Sequence, residues 1–251
     1  MTGKVAIVTG AGGGMGLGIA RQLALDGMKV YGIDVQRELL VGEFERLSSE
    51  GLEVAPLVLD ISSEDEVATL GAKMGEDFGR LAVLVNNAAI SPKRNNRRVP
   101  FVELSLADWQ RVIDVNLTGA FLMTRACLPP MIEQKFGRVI NNSSVGGKTV
   151  IGIAAASYNA TKAGLLGLTR ALAMEVAAQG VTVNAICPGR IDTPMAAGAM
   201  EEANKSLLAR TPVGFFGTPQ DVADLVSFIA SPRSRFITGA AMDINGGLAM
   251  V

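Results

Sequence analysis

Short runs of aliphatic and β-branched residues alternate along the chain with longer stretches whose apolar positions recur at helical spacing. KVAIVTG (residues 4–10) predicts a buried strand, and Met15 to Asp26 a helix closed by Gly27. KVYGID predicts a second strand, followed by a helix around Arg37 to Ser49. LEVAPLVLD then gives way to SSEDEVATLGAKM, where Ser62 or Ser63 can cap a helix with acidic residues in its first turn. LAVLVNNA and GRVINNSS predict further strands, separated by helical sequence between Ser105 and Ile132, and TVNAICPG and AAMDING complete the set.

Strands that alternate with helices imply right-handed crossovers and a parallel sheet covered on both faces. About seven strands in one doubly wound α/β sheet use the whole chain, and no linker or internal repeat interrupts it. Residues 1–251 therefore read as a single domain. Two segments break the rhythm. SPKRNNRRVPF (residues 91–101) is polar, with four Lys or Arg residues; the other, Thr193 to Gly217, is rich in Ala, Gly and Met. Loops of that length in a compact domain serve as lids or binding loops, and residues 193–217 are expected to cover a substrate.

Composition narrows the chemistry. The chain is 49% hydrophobic and 19% charged with a formal net charge of −1, which argues against disorder, nucleic-acid binding and attraction to anionic membranes. No apolar run approaches the roughly 18 residues of a membrane span, and the glycines after the first strand exclude a signal peptide. A cytoplasmic protein is expected. Cys127 and Cys187 stand in apolar surroundings with no metal-ligand spacing, so buried thiols and no metal site are expected. Cys187 has no histidine partner and is rejected as a nucleophile. With no histidine anywhere, proton transfer must fall to tyrosine, lysine, cysteine or a carboxylate.

TGAGGGMG, Thr9 to Gly16, lies where the first strand hands over to the first helix. Glycines there permit positive φ and close backbone approach, and the helix N-terminus offers free N–H groups to a pyrophosphate. Asp34 follows at the end of the second strand, near the expected spacing of about 20 residues. A carboxylate in that place accepts from both adenosine ribose hydroxyls and repels a 2′-phosphate. This Rossmann-like reading prefers NAD over NADP, with Arg37 the nearest cation in sequence to the contrary.

The chain has only two tyrosines, and one, Tyr158, stands four residues before Lys162 in SYNATKAGL. In a helix the two share a face. Together with the glycine turn, NNAA (Asn86 to Ala89), DVNLTGAF with Asn116, INNSS, YNATK and PGRIDTPM, this pair resembles the short-chain dehydrogenase/reductase superfamily over essentially the whole length. Ala89 replaces the family's usual glycine. Ser144 lies 14 residues before Tyr158, one more than the commonest family spacing, which leaves Ser143 as the alternative; Ser144 matches the second serine of the family's pair.

That resemblance implies roles by motif match. Asn116, Ser144, Tyr158 and Lys162 would be catalytic. Gly10, Gly14, Met15 and Gly16 would hold the pyrophosphate, with Asp34, Asn86 and Ala88 on the adenosine ribose and Asp60 and Ile61 on the adenine. Pro188, Gly189, Ile191 and Thr193 would border the nicotinamide, its ribose meeting Tyr158 and Lys162. The implied reaction is hydride transfer between NAD(P) and a secondary alcohol or ketone, with Tyr158 as general acid/base. Tyrosine's ordinary pKa of about 10 must then be lowered, and an ammonium within reach can do so by roughly 1–3 units. The rival is a non-catalytic dinucleotide-binding sensor on the same fold. Neither a 3-oxoacyl nor a sugar or polyol substrate is selected by any one residue; KRNNRR, residues 93–98, is either an anion-attracting element or a solvated loop. The segment SYNATKAGLLGLTRALAMEVAAQ is apolar nearly all round, so it should be covered on both sides, and a homotetramer is expected.

Overall fold

The computed structural model describes residues 1–94, 97–150, 152, 154–193 and 201–251. Strands β1 (Val5–Thr9), β2 (Lys29–Asp34), β3 (Val54–Val58), β4 (Leu81–Asn86), β5 (Gly137–Asn142), β6 (Val181–Pro188) and β7 (Ala241–Ile244) form one parallel sheet. Its order is β3-β2-β1-β4-β5-β6-β7. The strand order reverses between β1 and β4, so successive connections leave in opposite directions and open a crevice at the carboxyl ends of these strands. Every residue of β1, β4, β5 and β6 is buried, as a parallel sheet covered on both faces requires.

Successive residues of β1 feed opposite cores. Ala6 and Val8 pack with α1 (Gly14–Leu25), α2 (Arg37–Ser49) and a helix near the C-terminus, Pro219–Ala230; Val5 and Ile7 pack against the other helical layer. That layer comprises α3 (Glu64–Ala68), α4 (Leu70–Met74), α6 (Gly119–Glu133) and α7 (Ala156–Val176), with α5 (Leu106–Ile113) leading into α6. Helices α8 (Glu201–Ala209) and α9 (Pro219–Ala230) complete the set among the described residues. Pro56 is tolerated within β3 because that strand is an edge and needs no donor on its open side. In β2, Gly32 leaves a notch for the Phe44 ring of α2: a Cβ there would lie 1.9 Å from Phe44 Cζ.

Two predicted helices are subdivided. SSEDEVATLGAKM forms α3 and α4 with a break at Thr69, whose hydroxyl donates to the Glu66 carbonyl at 2.7 Å. Of the two serines, Ser63 is the cap: its Oγ accepts from Glu66 N at 3.3 Å, beside Glu64, Asp65 and Glu66 in the first turn. The stretch from Ser105 to Ile132 is α5, a π-helical turn over Asp114–Thr118, and α6. Periodicity cannot reveal one extra residue in a turn, and such bulges recur at functional sites. This one carries Asn116. Part of the basic segment pairs as a short antiparallel hairpin, Lys93 opposite Arg98 and Arg94 opposite Arg97; residues 95 and 96 lie outside the described residues. So do residues 194–200 of the expected substrate-covering loop.

Candidate active site

A cleft of about 730 Å³ opens at the carboxyl ends of the strands, floored by the glycine-rich turn and closed at one end by Tyr158 and Lys162. The turn fits only glycine at its tightest points. Gly10 has φ +67°, and a Cβ there would lie 2.8 Å from Ala88 Cα; at Gly16 it would lie 2.0 Å from the Gly10 carbonyl oxygen. Helix α1 starts without a side-chain cap and without an acidic residue in its first turn. Gly14, Met15 and Gly16 therefore present unengaged positive helix ends to the cleft they line.

At the other end of the turn, Asp34 accepts from Gly12 N at 3.1 Å and from Gln36 N at 3.0 Å. These bonds fix its carboxylate at the cleft wall, 3.0 Å from where a Gly12 Cβ would be. Asp60 and Ile61 line the same end, Asp60 held by Ser62 through bonds of 2.9 and 2.7 Å to one carboxylate oxygen. Ala88 is also at the wall. Asn86 is not: its side chain is buried and donates to Thr124 Oγ1 and Asn141 Oδ1, both at 2.9 Å, inside the sheet layer. The next residue, Asn87, lines the cleft and ties it together. It donates to Thr9 O at 2.9 Å and Gly10 O at 3.2 Å, and accepts from Asn142 Nδ2 at 2.8 Å. The doubled asparagine in NNAA was the available signal; strand alternation puts one inward and the next at the strand's exit.

The reacting end is built by β5 and α7. Ser144 leaves β5 in an extended conformation (φ −173°) and its Oγ accepts from Gly146 N at 3.0 Å. Ser143 donates to the Lys162 carbonyl at 2.7 Å, so its hydroxyl is committed to the packing of this loop on α7. Of the two serines, Ser144 is the one close enough to the Tyr158 hydroxyl to favour its anion. Lys162 is 2% exposed, donates to Asn142 O at 2.6 Å and sits 5.5 Å from the centroid of the Tyr158 ring.

Burial disfavours charge in this pocket. Burial pushes the Tyr158 phenol above its ordinary value, and the nearby Ser144 opposes this only in part. Lys162 stands 5.5 Å from the ring centroid and donates one hydrogen bond to the Asn142 carbonyl. The ammonium is itself disfavoured: burial lowers Lys162 to about 8. A low-polarity site penalises both charged forms, anion and cation alike.

Asn116 sits in the π turn, buried, with both ends of its amide used. Its Oδ1 accepts from Ile90 N at 2.8 Å, and its Nδ2 donates to Ile90 O at 3.0 Å and Thr161 Oγ1 at 3.2 Å. It thereby locks the β4 exit to α7 one residue before Lys162. Pro188, Gly189 and Thr193 line the cleft beyond β6. Ile191 does not; its side chain is buried in the α1/α9 core, and its bridge to Gly217 uses Asp192 N and Arg190 O. Any contact of Ile191 with a ligand must come from its main chain. Gln36 and Leu39, just beyond Asp34 at the start of α2, also line the cleft, as do Arg111 and Asp114, which α5 and the π turn bring from far along the chain. Cys127 and Cys187 are free and buried, with both thiols pushed up by burial, which suits neither for nucleophilic chemistry.

A glycine turn opening onto a helix N-terminus, an acidic β2 end and a Ser–Tyr–Lys cluster across the same crevice define a dinucleotide-dependent oxidoreductase. Comparison with known proteins agrees. The family model described as enoyl-(acyl carrier protein) reductase matches residues 10–249. The chain is 38% identical over 254 residues to 3-oxoacyl-(acyl-carrier-protein) reductase FabG of Thermotoga maritima, covering 100% of this chain and 99% of the relative. It superimposes with a TM-score of 0.93 on a 3-oxoacyl-(acyl-carrier protein) reductase from Brucella melitensis with bound NAD, at 36% identity over 100% of this chain and 92% of the other. A variant of actinorhodin polyketide ketoreductase with NADPH gives a TM-score of 0.90 at 36% identity, covering 99% of each chain. The chain belongs to the short-chain dehydrogenase/reductase superfamily.

Proposed function

We propose that the protein interconverts a ketone and a secondary alcohol with Tyr158 as general acid/base, acting on NAD in preference to NADP. The observation that carries this reading is the convergence of Ser144, Tyr158 and Lys162 at one end of the cleft whose other end holds the glycine turn and Asp34. Bound nicotinamide supplies or accepts the hydride. Ser144 Oγ donates to the substrate oxygen and aligns it. Tyr158 Oη gives that oxygen a proton during reduction and removes one during oxidation. Lys162 holds the Asn142 carbonyl and steadies the tyrosine ring, while Asn116 fixes the π turn against Thr161 and Ile90.

The raised phenol makes Tyr158 a ready proton donor at neutral pH and a poor base. Reduction should therefore be flat with pH below about 8, where Lys162 keeps its charge, and oxidation should climb as pH rises. A steady-state pH profile in both directions tests this; an oxidation rate that falls between neutral pH and pH 8 would contradict it. Binding of NAD(H) without turnover across a broad alcohol and ketone panel would favour the sensor reading instead.

Asp34 supports the cofactor preference: its charge is fixed where an adenosine ribose would lie, and neither Gly12 nor Gly13 offers a cation beside it. Asp34→Ala should weaken NAD binding and relax discrimination against NADP, measured as the ratio of kcat/KM values. The whole chain acts in this reading as one catalytic domain, with 193–217 over the substrate. Along α7 the outward face carries Ala160, Ala163, Ala171 and Met174, the last 88% exposed, and this face supports assembly as a homotetramer. No described helix is long and apolar enough to cross a membrane, and the proposed setting is the cytoplasm.

A further inference from the structure

The loop that carries Ser144 is fastened on both sides of that residue. On the entry side, Ser143 N donates to Ile186 O at 2.9 Å and Ser143 Oγ to the Lys162 carbonyl at 2.7 Å, which ties the loop to β6 and α7. Ser144 then opens a 3₁₀ turn over Val145–Gly147. Its Oγ accepts from Gly146 N at 3.0 Å and its carbonyl from Gly147 N at 2.9 Å. The amides of Lys148 and Thr149 close the turn on the Val145 carbonyl, at 3.1 and 2.9 Å. A single 3₁₀ turn has poor hydrogen-bond geometry of its own, so its orientation has to be set from outside.

Lys148 supplies the second fastening. From the exit of β5 its side chain spans to β7, two strands away in the sheet. Nζ donates to Ala241 O at 3.1 Å, to Asp243 Oδ2 at 2.7 Å and to Val251 O at 3.4 Å. Those acceptors match the three donors of an ammonium. The Lys148 side chain is only 13% exposed, which sets this bond apart from a solvent-screened surface pair. Among the described residues from 145 to 155, no other side chain hydrogen-bonds to another element; apart from Thr149 they are glycine, alanine or valine. Gly146, Gly147 and Gly152 add backbone freedom to a connection that already separates Ser144 from Tyr158 by 14 positions. Such a loop aims its first residue only as well as its one anchor holds.

Resting on the proposed oxidoreductase reading, we infer that Lys148 is a positioning residue for the reaction: by bonding β7 it fixes the turn that aims the Ser144 hydroxyl at the substrate oxygen. Lys148 does not line the cleft, so it acts through Ser144 and touches neither substrate nor cofactor. Without it the turn can tilt about its Ser143 end, and Ser144 Oγ loses its fixed direction.

Hydrogen exchange read by mass spectrometry on the full chain tests the fastening without turnover. Lys148→Met should speed exchange at the amides of residues 146–149 about tenfold and leave the glycine turn at residues 10–16 unchanged; Lys148→Arg should restore the wild-type rate. Turnover reads the consequence. With NADH and ethyl acetoacetate, Lys148→Met should lower kcat about tenfold at unchanged NADH affinity, because a misaimed group costs rate and not cofactor binding. In a Ser144→Ala background the same substitution should cost nothing further, whereas a merely structural role costs the same in both backgrounds. Asp243→Asn removes the charge partner alone and should give the same pattern at smaller size, so it carries the test if Lys148→Met fails to fold. Unchanged exchange at residues 146–149, or equal losses with and without Ser144, overturns the inference. Faster exchange in a protein that turns over neither ethyl acetoacetate nor any ketone of a broad panel would defeat the oxidoreductase reading and leave the fastening of the loop standing.

Discussion

The molecule's two tyrosines stand at opposite ends of the sheet, and each has a lysine ammonium 5.5 Å from its ring. At the amino end of β2, Tyr31 donates to Asp77 at 2.5 Å, Lys29 pairs with the same carboxylate oxygen at 2.6 Å, and Arg80 bonds the other. At the carboxyl end, Tyr158 has Ser144 beside it and Lys162 bonds a peptide carbonyl, and no carboxylate among the described residues pairs with either. The first cluster is balanced: Asp77 is held far below the usual carboxylate range by Lys29 and Tyr31, and Lys29 is held above its own. The second is imbalanced, with Lys162 lowered to about 8. A Tyr–Lys pair supplied with its counterion becomes a brace. Denied one, it is left without a balancing charge, which suits the proton-transfer role proposed for Tyr158.

Exchanging the chemistry of the two ends should expose the difference. The largest effect is expected from Tyr158→Phe, with turnover falling roughly 10²–10⁴-fold at unchanged NADH affinity, whereas Tyr31→Phe keeps full turnover. Steady-state rates of the two variants side by side decide this, and equal losses would erase the contrast.

Next in size is Asp77→Asn, which strands Lys29 and removes the acceptor of Tyr31. Urea unfolding should show a loss of about 2–3 kcal/mol with catalysis intact below the new melting point. The sign follows from Asp77's depressed value. Its stabilisation is fully present above the unfolded carboxylate's 3.8 and disappears as pH falls below it. A wild-type stability that exceeds the variant's by the same margin at pH 2 and pH 7 would refute the brace.

Lys162→Met should do the reverse: abolish turnover yet stabilise the cofactor-free protein by about 1–3 kcal/mol at pH 7. Below about 8 both folded and unfolded lysines are charged, and the burial penalty is complete. Between about 8 and 10.5 only the unfolded lysine holds its proton, so the wild type regains stability and the variant's advantage shrinks. Thermal melts across that range read it. The smallest change is expected from Tyr31→Phe, a loss of about 1 kcal/mol for one hydrogen bond.

Much of this was legible before any coordinates. Continuous apolar strands alternating with helices specify a two-faced parallel sheet, and all seven strands of that sheet stand where the pattern put them. The glycine turn and the four-residue step from Tyr158 to Lys162 are local patterns with local geometry, so they were readable too. Asn86 illustrates the limit. Motif matching names a neighbourhood, but a one-residue step at a strand end turns Asn86 into the layer and Asn87 into the cleft. Ile191 likewise turns its side chain into packing against Gly217, where a Cβ would lie 2.7 Å from Cδ1, and leaves only its main chain to face the cleft side.

Sequence alone determined the sheet, its covered faces and the glycine turn, because each depends on neighbours within a few positions of the chain. Tertiary structure decided the charge states and the company each residue keeps. Tyr31 finds Asp77 46 residues away, and Lys162 finds the Asn142 carbonyl 20 residues away. Burial and partner distance set a pKa, and both are properties of folded space that no local pattern encodes.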